Sequence, residues 1–160
     1  MDKERMVAEI VDNIRRIFQV VNESSRKAER ETGLTGPQLW AMKIVAEAAP
    51  INVSDLARRM YLHPATVVGI LDRLEGRGLL SRARSKEDRR VVEIELTEQG
   101  KKSVVQSPEV AQGLLFTGLE VLPEAKLLQL AEGLEGLVKI LGAEKLRPKL
   151  LLSTEEDSPE

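Results

Sequence analysis

The sequence predicts a mainly α-helical protein with a small β-hairpin, on three observations. Apolar residues recur at spacings of three and four along most of the chain; from Leu79 to Leu96 the period falls to two; and glycines and prolines divide the helical pattern into short central pieces between longer end segments. At 160 residues the chain suits one domain with a single core. It has no cysteine, so disulfides, thiolate nucleophiles and iron-sulfur clusters are excluded, and the cytoplasm is the expected compartment. The charged start Met1-Asp2-Lys3-Glu4-Arg5 and the lack of a long apolar run predict neither a signal peptide nor a membrane span.

Taken in order, Lys3 to Glu31 places Val7, Ile10, Ile14, Ile17 and Val21 on one stripe of an amphipathic helix that Gly33 ends. Thr35-Gly36-Pro37 starts a helix with Leu39, Trp40, Ile44 and Val45 as its apolar positions, closed by Pro50. Ile51-Asn52-Val53 is β-prone, and Ser54 followed by Asp55 is a good N-cap for a short helix to Met60. After Tyr61-Leu62-His63 a further helix runs from Pro64 to about Gly76, with Val67, Ile70, Leu71 and Leu74 on one side. Leu80, Arg82 and Arg84 then share one strand face, and Val92, Ile94 and Leu96 another, across the polar turn Ser85 to Arg90. Thr97 caps a helix running toward Leu119, which Ser107-Pro108-Glu109 kinks or splits as a fresh N-terminus. Pro123 opens the last helix, in which Leu127, Leu130, Leu134, Leu137 and Leu141 repeat the helical spacing until Gly142. Gly133 and Gly136 weaken that helix by roughly 1 kcal/mol each relative to Ala, so it depends on packing. Ser153 to Glu160 forms an acidic tail with no assigned function. For either end helix alone, packing on the chain's own core explains its stripe equally well; two such seams favour an intersubunit bundle.

Two short helices followed at once by a hairpin make a winged helix-turn-helix, flanked here by N- and C-terminal dimerisation helices. Its second helix fits a DNA major groove. With Val67, Ile70, Leu71 and Leu74 turned inward, the outer side carries His63, Ala65, Thr66, Val68, Gly69, Asp72 and Arg73. Thr66 suits base edges or phosphate, and Ala65 and Val68 suit thymine methyl groups. His63 and Pro64 stand at a helix N-terminus, which attracts phosphate. Ser54 and Arg84 join the expected DNA contacts from the preceding helix and the hairpin. Glycine within a helix is unfavourable, so Gly69 either lets the backbone approach DNA or fills a tight packing site, and the sequence leaves both open. Arg89 and Arg90, on a projecting turn, are expected in the minor groove, and Asp88, two residues before Arg90, is expected to hold the wing and that guanidinium.

Charge distribution permits this reading although the net charge is -2. Residues 54 to 90 hold nine Lys/Arg against five Asp/Glu, a local balance of +4 that leaves -6 elsewhere. Local potential, rather than the average, governs attraction to phosphate.

The run Ser54-Asp55-Leu56-Ala57, then Thr66 to Glu75, Arg77-Gly78-Leu79, and Asp88-Arg89-Arg90 through Ile94, Leu96-Thr97 and Gly100 resembles the MarR family of bacterial and archaeal regulators. Its D-x-R-x-x-x-V-x-L-T-x-x-G signature is met at Asp88, Arg90, Ile94, Leu96, Thr97 and Gly100, with isoleucine for valine as the one change. The resemblance covers about residues 5 to 141. It implies an obligate homodimer with intertwined N- and C-terminal helices, a palindromic double-stranded DNA operator and, usually, repression. It places the helix from Pro64 to Glu75 in the major groove and Arg90, with Arg89, in the minor groove. Release of DNA by a small aromatic or phenolic effector is also a family trait, though Trp40, Tyr61, Phe18 and Phe116 are the only aromatics here and suit packing better than a ligand clamp. Thiol-based peroxide sensing is excluded by the missing cysteines, and one histidine argues against a zinc site. No metal, cofactor or membrane is expected.

The chain accordingly divides into an N-terminal dimerisation helix (1–34), a winged helix-turn-helix lobe (35–97, recognition helix about 64–76 and wing about 80–96), C-terminal dimerisation helices (98–142) and an extension with the acidic tail (143–160). An enzyme is not expected: nucleophile, base and phosphate-loop motifs are lacking. The rival is a winged-helix protein-interaction or dimerisation module with weak, non-specific DNA binding. His63, Thr66, Arg73 and the wing arginines argue against it, since a protein-binding face favours aromatic anchors.

Overall fold

The computed structural model describes residues 2–150, so the acidic stretch from Ser153 to Glu160 lies outside the described residues. The elements are α1 (Lys3–Thr32), α2 (Gly36–Ala48), β1 (Ile51–Asn52), α3 (Val53–Met60), α4 (Pro64–Gly76), β2 (Leu80–Arg84), β3 (Val92–Leu96), α5 (Glu98–Val105), α6 (Ala111–Glu120) and α7 (Glu124–Ile140).

Local chemistry accounts for most boundaries. The Asp2 carboxylate accepts from Arg5 N at 2.8 Å to start α1, and Gly33, at φ +69°, ends it in the left-handed region that glycine reaches without a Cβ penalty. α2 opens on a capping box, Thr35 Oγ1 accepting from Gln38 N and Gln38 Oε1 accepting from Thr35 N. Ser54 does not cap α3. The cap is Asn52, whose Oδ1 accepts from Asp55 N at 2.8 Å, and Ser54 lies exposed in the first turn. Both residue types cap well; Asn52 prevails because its extended backbone, paired to β3, ends the strand where the helix begins.

The hairpin pairs Leu80 with Leu96, Arg82 with Ile94 and Arg84 with Val92. β1 adds a third antiparallel strand on the other edge of β3, with Ile51 opposite Ile94. This three-stranded sheet closes one side of a core made by α2, α3 and α4, in which Leu39, Met42, Val45, Leu56, Ile70, Leu71, Leu74, Leu80 and Ile94 are buried. Thr97 caps α5, its Oγ1 accepting from Gly100 N at 3.1 Å and donating to the Gly78 carbonyl at 2.7 Å. Gly100 is obligatory there: a Cβ would fall 1.9 Å from the Leu79 carbonyl oxygen.

The helix after the wing is divided, as the proline suggested, but Ser107-Pro108-Glu109 is not its new N-terminus. α6 starts after Val110, which makes no side-chain cap bond; instead Ser24 Oγ of α1 accepts from Ala111 N at 2.9 Å. α2 and α6 cross closely because Gly113 has no side chain, since a Cβ there would lie 2.5 Å from the Trp40 ring.

The terminal stripes do not pack on the chain's own core. Ala28 is the one buried residue of α1, and α7 buries none. Val7, Ile10 and Ile17 on α1, Leu130 and Leu134 on α7, and Leu141 just past its end are all more than 40% exposed. Ile14, Val21, Leu127 and Leu137 are half-buried.

Candidate nucleic-acid interface

One face of α4 is committed to the core, since Val67, Ile70, Leu71 and Leu74 are completely buried. The helical period then directs Ala65, Val68, Gly69 and Asp72 along the opposite stripe, on which Ala65, Val68 and Asp72 are exposed and Gly69 is half-buried. Thr66 and Arg73 flank it, both half-buried. A Cβ built on Gly69 meets nothing within 4 Å, which disposes of the packing explanation for that glycine within the chain. At the N-terminus His63 is the cap, its Nδ1 accepting from Ala65 N at 3.2 Å, and exposed Pro64 occupies the first turn. This assigns the ring tautomer: Nε2 carries the proton of the neutral ring and is available as a donor.

The hairpin is fastened to α4 by a group that sequence reasoning missed. Arg82 of β2 donates to Asp72 and, from Nε at 3.2 Å, to Glu75; Glu75 also accepts from Arg82 N at 3.2 Å. Hydrogen bonding to Arg82 holds the Glu75 carboxyl below the usual carboxylate range. The available signal was Asp72 and Glu75 at i and i+3 on the helix with an arginine on the next strand, but their meeting depends on how the hairpin folds back.

At the wing tip, buried Ser85 accepts at Oγ from Glu87 N at 3.2 Å and Asp88 N at 3.4 Å, giving the loop a local hydrogen-bonded frame. Asp88 Oδ1 accepts from both Arg90 N and Arg90 Nε at 3.0 Å, while Oδ2 accepts from Arg90 Nη2 at 2.9 Å. That bidentate geometry keeps the Asp88 carboxyl below its ordinary value and the guanidinium pKa above its own. Arg90 nevertheless projects into solvent, with 91% of its side chain accessible. Arg84 donates from Nη1 to the Arg89 carbonyl at 3.3 Å, so part of its guanidinium steadies the loop. Arg89 and Lys86 are exposed and carry no ion pair among the described residues. Arg90 and Ser54 line a cleft of about 370 Å³ with Asn52, Asp55 and Val92, between the start of α3 and the wing. An exposed, thinly covered helix stripe flanked by arginines is suited to groove entry and phosphate contact. No group of three or more His, Asp or Glu arranged to hold a metal occurs among the described residues, and no described helix is long and apolar enough to cross a membrane.

Helix-turn-helix, three-stranded wing and a basic loop beside the exposed α4 stripe define a winged-helix DNA-binding protein. Residues 34–92 match the MarR family model. The chain is 26% identical over 128 residues to the transcriptional repressor MdtR of Bacillus subtilis, covering 80% of this chain and 83% of MdtR. It is 31% identical over 110 residues to the transcriptional regulator FarR of Neisseria gonorrhoeae, covering 69% of this chain and 75% of FarR. Among solved structures it is similar to the transcriptional regulator BldR from Sulfolobus solfataricus, with 26% identity, coverage of 89% and 99%, and a TM-score of 0.55. The chain belongs to the MarR family of DNA-binding transcription regulators, and its relatives are regulators rather than enzymes.

Two further contacts lay outside sequence reasoning. Tyr61, in the turn of the helix-turn-helix, donates its hydroxyl to Glu120 Oε1 at 2.9 Å, which raises the phenol's pKa. Arg77, just past α4, donates to the Gly33 carbonyl at 2.8 Å.

Proposed function

We propose that this protein is a cytoplasmic homodimeric repressor that binds a palindromic operator. In this reading α4 enters the major groove with Ala65, Thr66, Val68, Gly69 and Arg73, while Arg89 and Arg90 reach the adjacent minor groove. Ser54, His63 and Arg84 hold the flanking phosphates, and Pro64 packs against the DNA backbone beside His63. The observation that carries the reading is the bare outer stripe of α4, where Gly69 meets no neighbour, set beside an accessible Arg90 already oriented by Asp88. An arginine held in place loses less side-chain freedom on binding than a mobile one. Residues 35–97 serve as the DNA-binding lobe. Residues 1–34 and 98–142 serve as the dimerisation region, supported by the exposed apolar stripes of α1 and α7. Two lobes related by a two-fold axis require an operator with matching symmetry.

Release by a small aromatic or phenolic effector belongs to the same reading. A groove of about 390 Å³ between α1 and α6 has apolar walls from Ile17, Val20, Leu114 and Leu115, with Arg16 at its edge. Apolar walls suit the ring of a small aromatic or phenolic compound.

The decisive experiment is selection of bound sequences from a random duplex library by the purified protein, followed by affinity measurements over a salt series. An inverted repeat is expected, with Arg90→Ala and Thr66→Ala each weakening binding by about 1–3 kcal/mol. Selection of no motif, or variants that bind as tightly as the parent, contradicts the proposed mode. Aromatic acids and phenols are then added to the complex; an effector lowers operator affinity.

A further inference from the structure

α4 is secured at both ends to the helices of the proposed dimerisation region. Tyr61 precedes it at φ +54°, a left-handed conformation uncommon for a residue with a side chain. Its ring lies 5.3 Å from Phe116 of α6, and Phe116 meets Trp40 of α2 edge-on at 6.3 Å. The hydroxyl of Tyr61 continues past the ring contact to Glu120, on the last turn of α6, at 2.9 Å. A side chain in an unfavourable backbone setting is thus engaged at both ring and hydroxyl by one helix. Beyond the other end of α4, Arg77 donates to the carbonyl of Gly33, the residue that terminates α1. Neither contact lies on the outer stripe of α4. One anchors its leading end to α6, the other its trailing end to α1, across sequence separations of 59 and 44.

We propose that Tyr61 with Glu120, and Arg77 with the Gly33 carbonyl, are a pair of struts that fix the attitude of α4 relative to the dimer helices and so determine which half-site separation the protein accepts. These are positioning residues, and the inference rests on the dimeric operator reading above. In a two-fold dimer the distance and tilt between the two α4 helices follow from how each is set on its own α1 and α6. DNA presents equivalent major-groove faces about one helical turn apart, so a small change in that attitude is read as a change in preferred spacing. Loosening the struts lets each lobe adapt and reduces discrimination between spacings.

The test uses the full chain and synthetic duplexes carrying the selected half-sites at the selected spacing and at one and two base pairs more or fewer. Tyr61→Phe removes one hydroxyl and keeps the ring; Arg77→Met keeps the aliphatic length and removes the donor; Glu120→Ala removes the acceptor and Glu120→Gln restores one. Melting temperature, dimer mass and salt slope establish that each variant is folded, dimeric and unaltered in phosphate contacts. The expected result is that Tyr61→Phe, Arg77→Met and Glu120→Ala each narrow the affinity ratio between optimal and shifted spacings by about fivefold, the scale of one lost hydrogen bond, while Glu120→Gln behaves as the parent. A ratio unchanged in all of them, or affinity lost equally at every spacing, overturns the strut role and leaves the dimeric reading intact. A parent protein with no spacing preference overturns the dimeric reading and the struts with it.

Discussion

Gly69 and Gly100 occupy helices, yet replacing them has opposite consequences. A methyl group at Gly69 projects into open space, so Gly69→Ala gains helix propensity, about 1 kcal/mol, without a packing penalty. The variant is expected to melt at a higher temperature and bind operator more weakly, because the added carbon occupies the line along which the backbone approaches the bases. Unchanged operator affinity in fluorescence anisotropy would remove Gly69 from the proposed interface. At Gly100 the same methyl would collide with the Leu79 carbonyl, which already accepts from Thr97 N at 3.1 Å and cannot withdraw without disturbing the strand. Gly100→Ala is therefore expected to lower stability by about 1–3 kcal/mol in thermal or urea unfolding. The residues alone could not separate these cases. Gly100 was identified only by its place in a signature, and Gly69 had two competing explanations until its surroundings were known.

The wing behaves as an element whose tip is held by local bonds and whose base is held by distant ones. Asp88 binds the backbone and side chain of Arg90, two positions away, and this pairing lowers its pKa from the ordinary aspartate value of 3.8. A depressed carboxylate contributes its stabilisation above the unfolded-state value and loses it as pH falls through the folded one. The tip geometry should therefore be constant through the neutral range and fail only in acid, below the usual aspartate titration. Carboxyl-detected NMR of Asp88 tests this directly; a midpoint at or above 3.8 contradicts the pairing. That contact was foreseeable because it spans two residues. Periodicity likewise located α4 and the hairpin, whose buried sides repeat every three to four and every two residues. By contrast, β1 has two residues and gains its identity from pairing with a strand more than forty positions later, where no local pattern can announce it. Arg82 was assigned to a strand face correctly, but its attachment to Asp72 and Glu75 across ten and seven residues arises from the hairpin's return onto α4.

At the scale of the whole molecule, one chain leaves a conspicuous imbalance between its centre and its ends. The lobe of α2 to β3 buries a continuous core, whereas α7, which contains Gly133 and Gly136 and has no buried residue, gains little from its own chain. A helix of intrinsically modest propensity without tertiary burial is marginal in water, so its leucine stripe calls for a partner. The amphipathic pattern alone left the stripe open to an internal core or a second subunit, and the completed central lobe supports the second subunit of the proposed dimer. In the proposed dimer a second copy supplies matching stripes on α1 and α7 by symmetry. Ile17 and Leu134 are 59% and 51% exposed in the single chain, so Ile17→Glu or Leu134→Glu should not disturb an isolated lobe. In a dimer each substitution places a charge in two symmetry-related apolar contacts, where an unpaired carboxylate is strongly unfavourable. Sedimentation equilibrium is therefore expected to show the parent as a dimer and the variants as monomers or weakly associating chains, with circular dichroism showing α7 partly melted. Operator affinity should fall with dimerisation, while binding to a single half-site at low salt persists. Variants that remain dimeric with full operator affinity would relocate the interface away from these stripes.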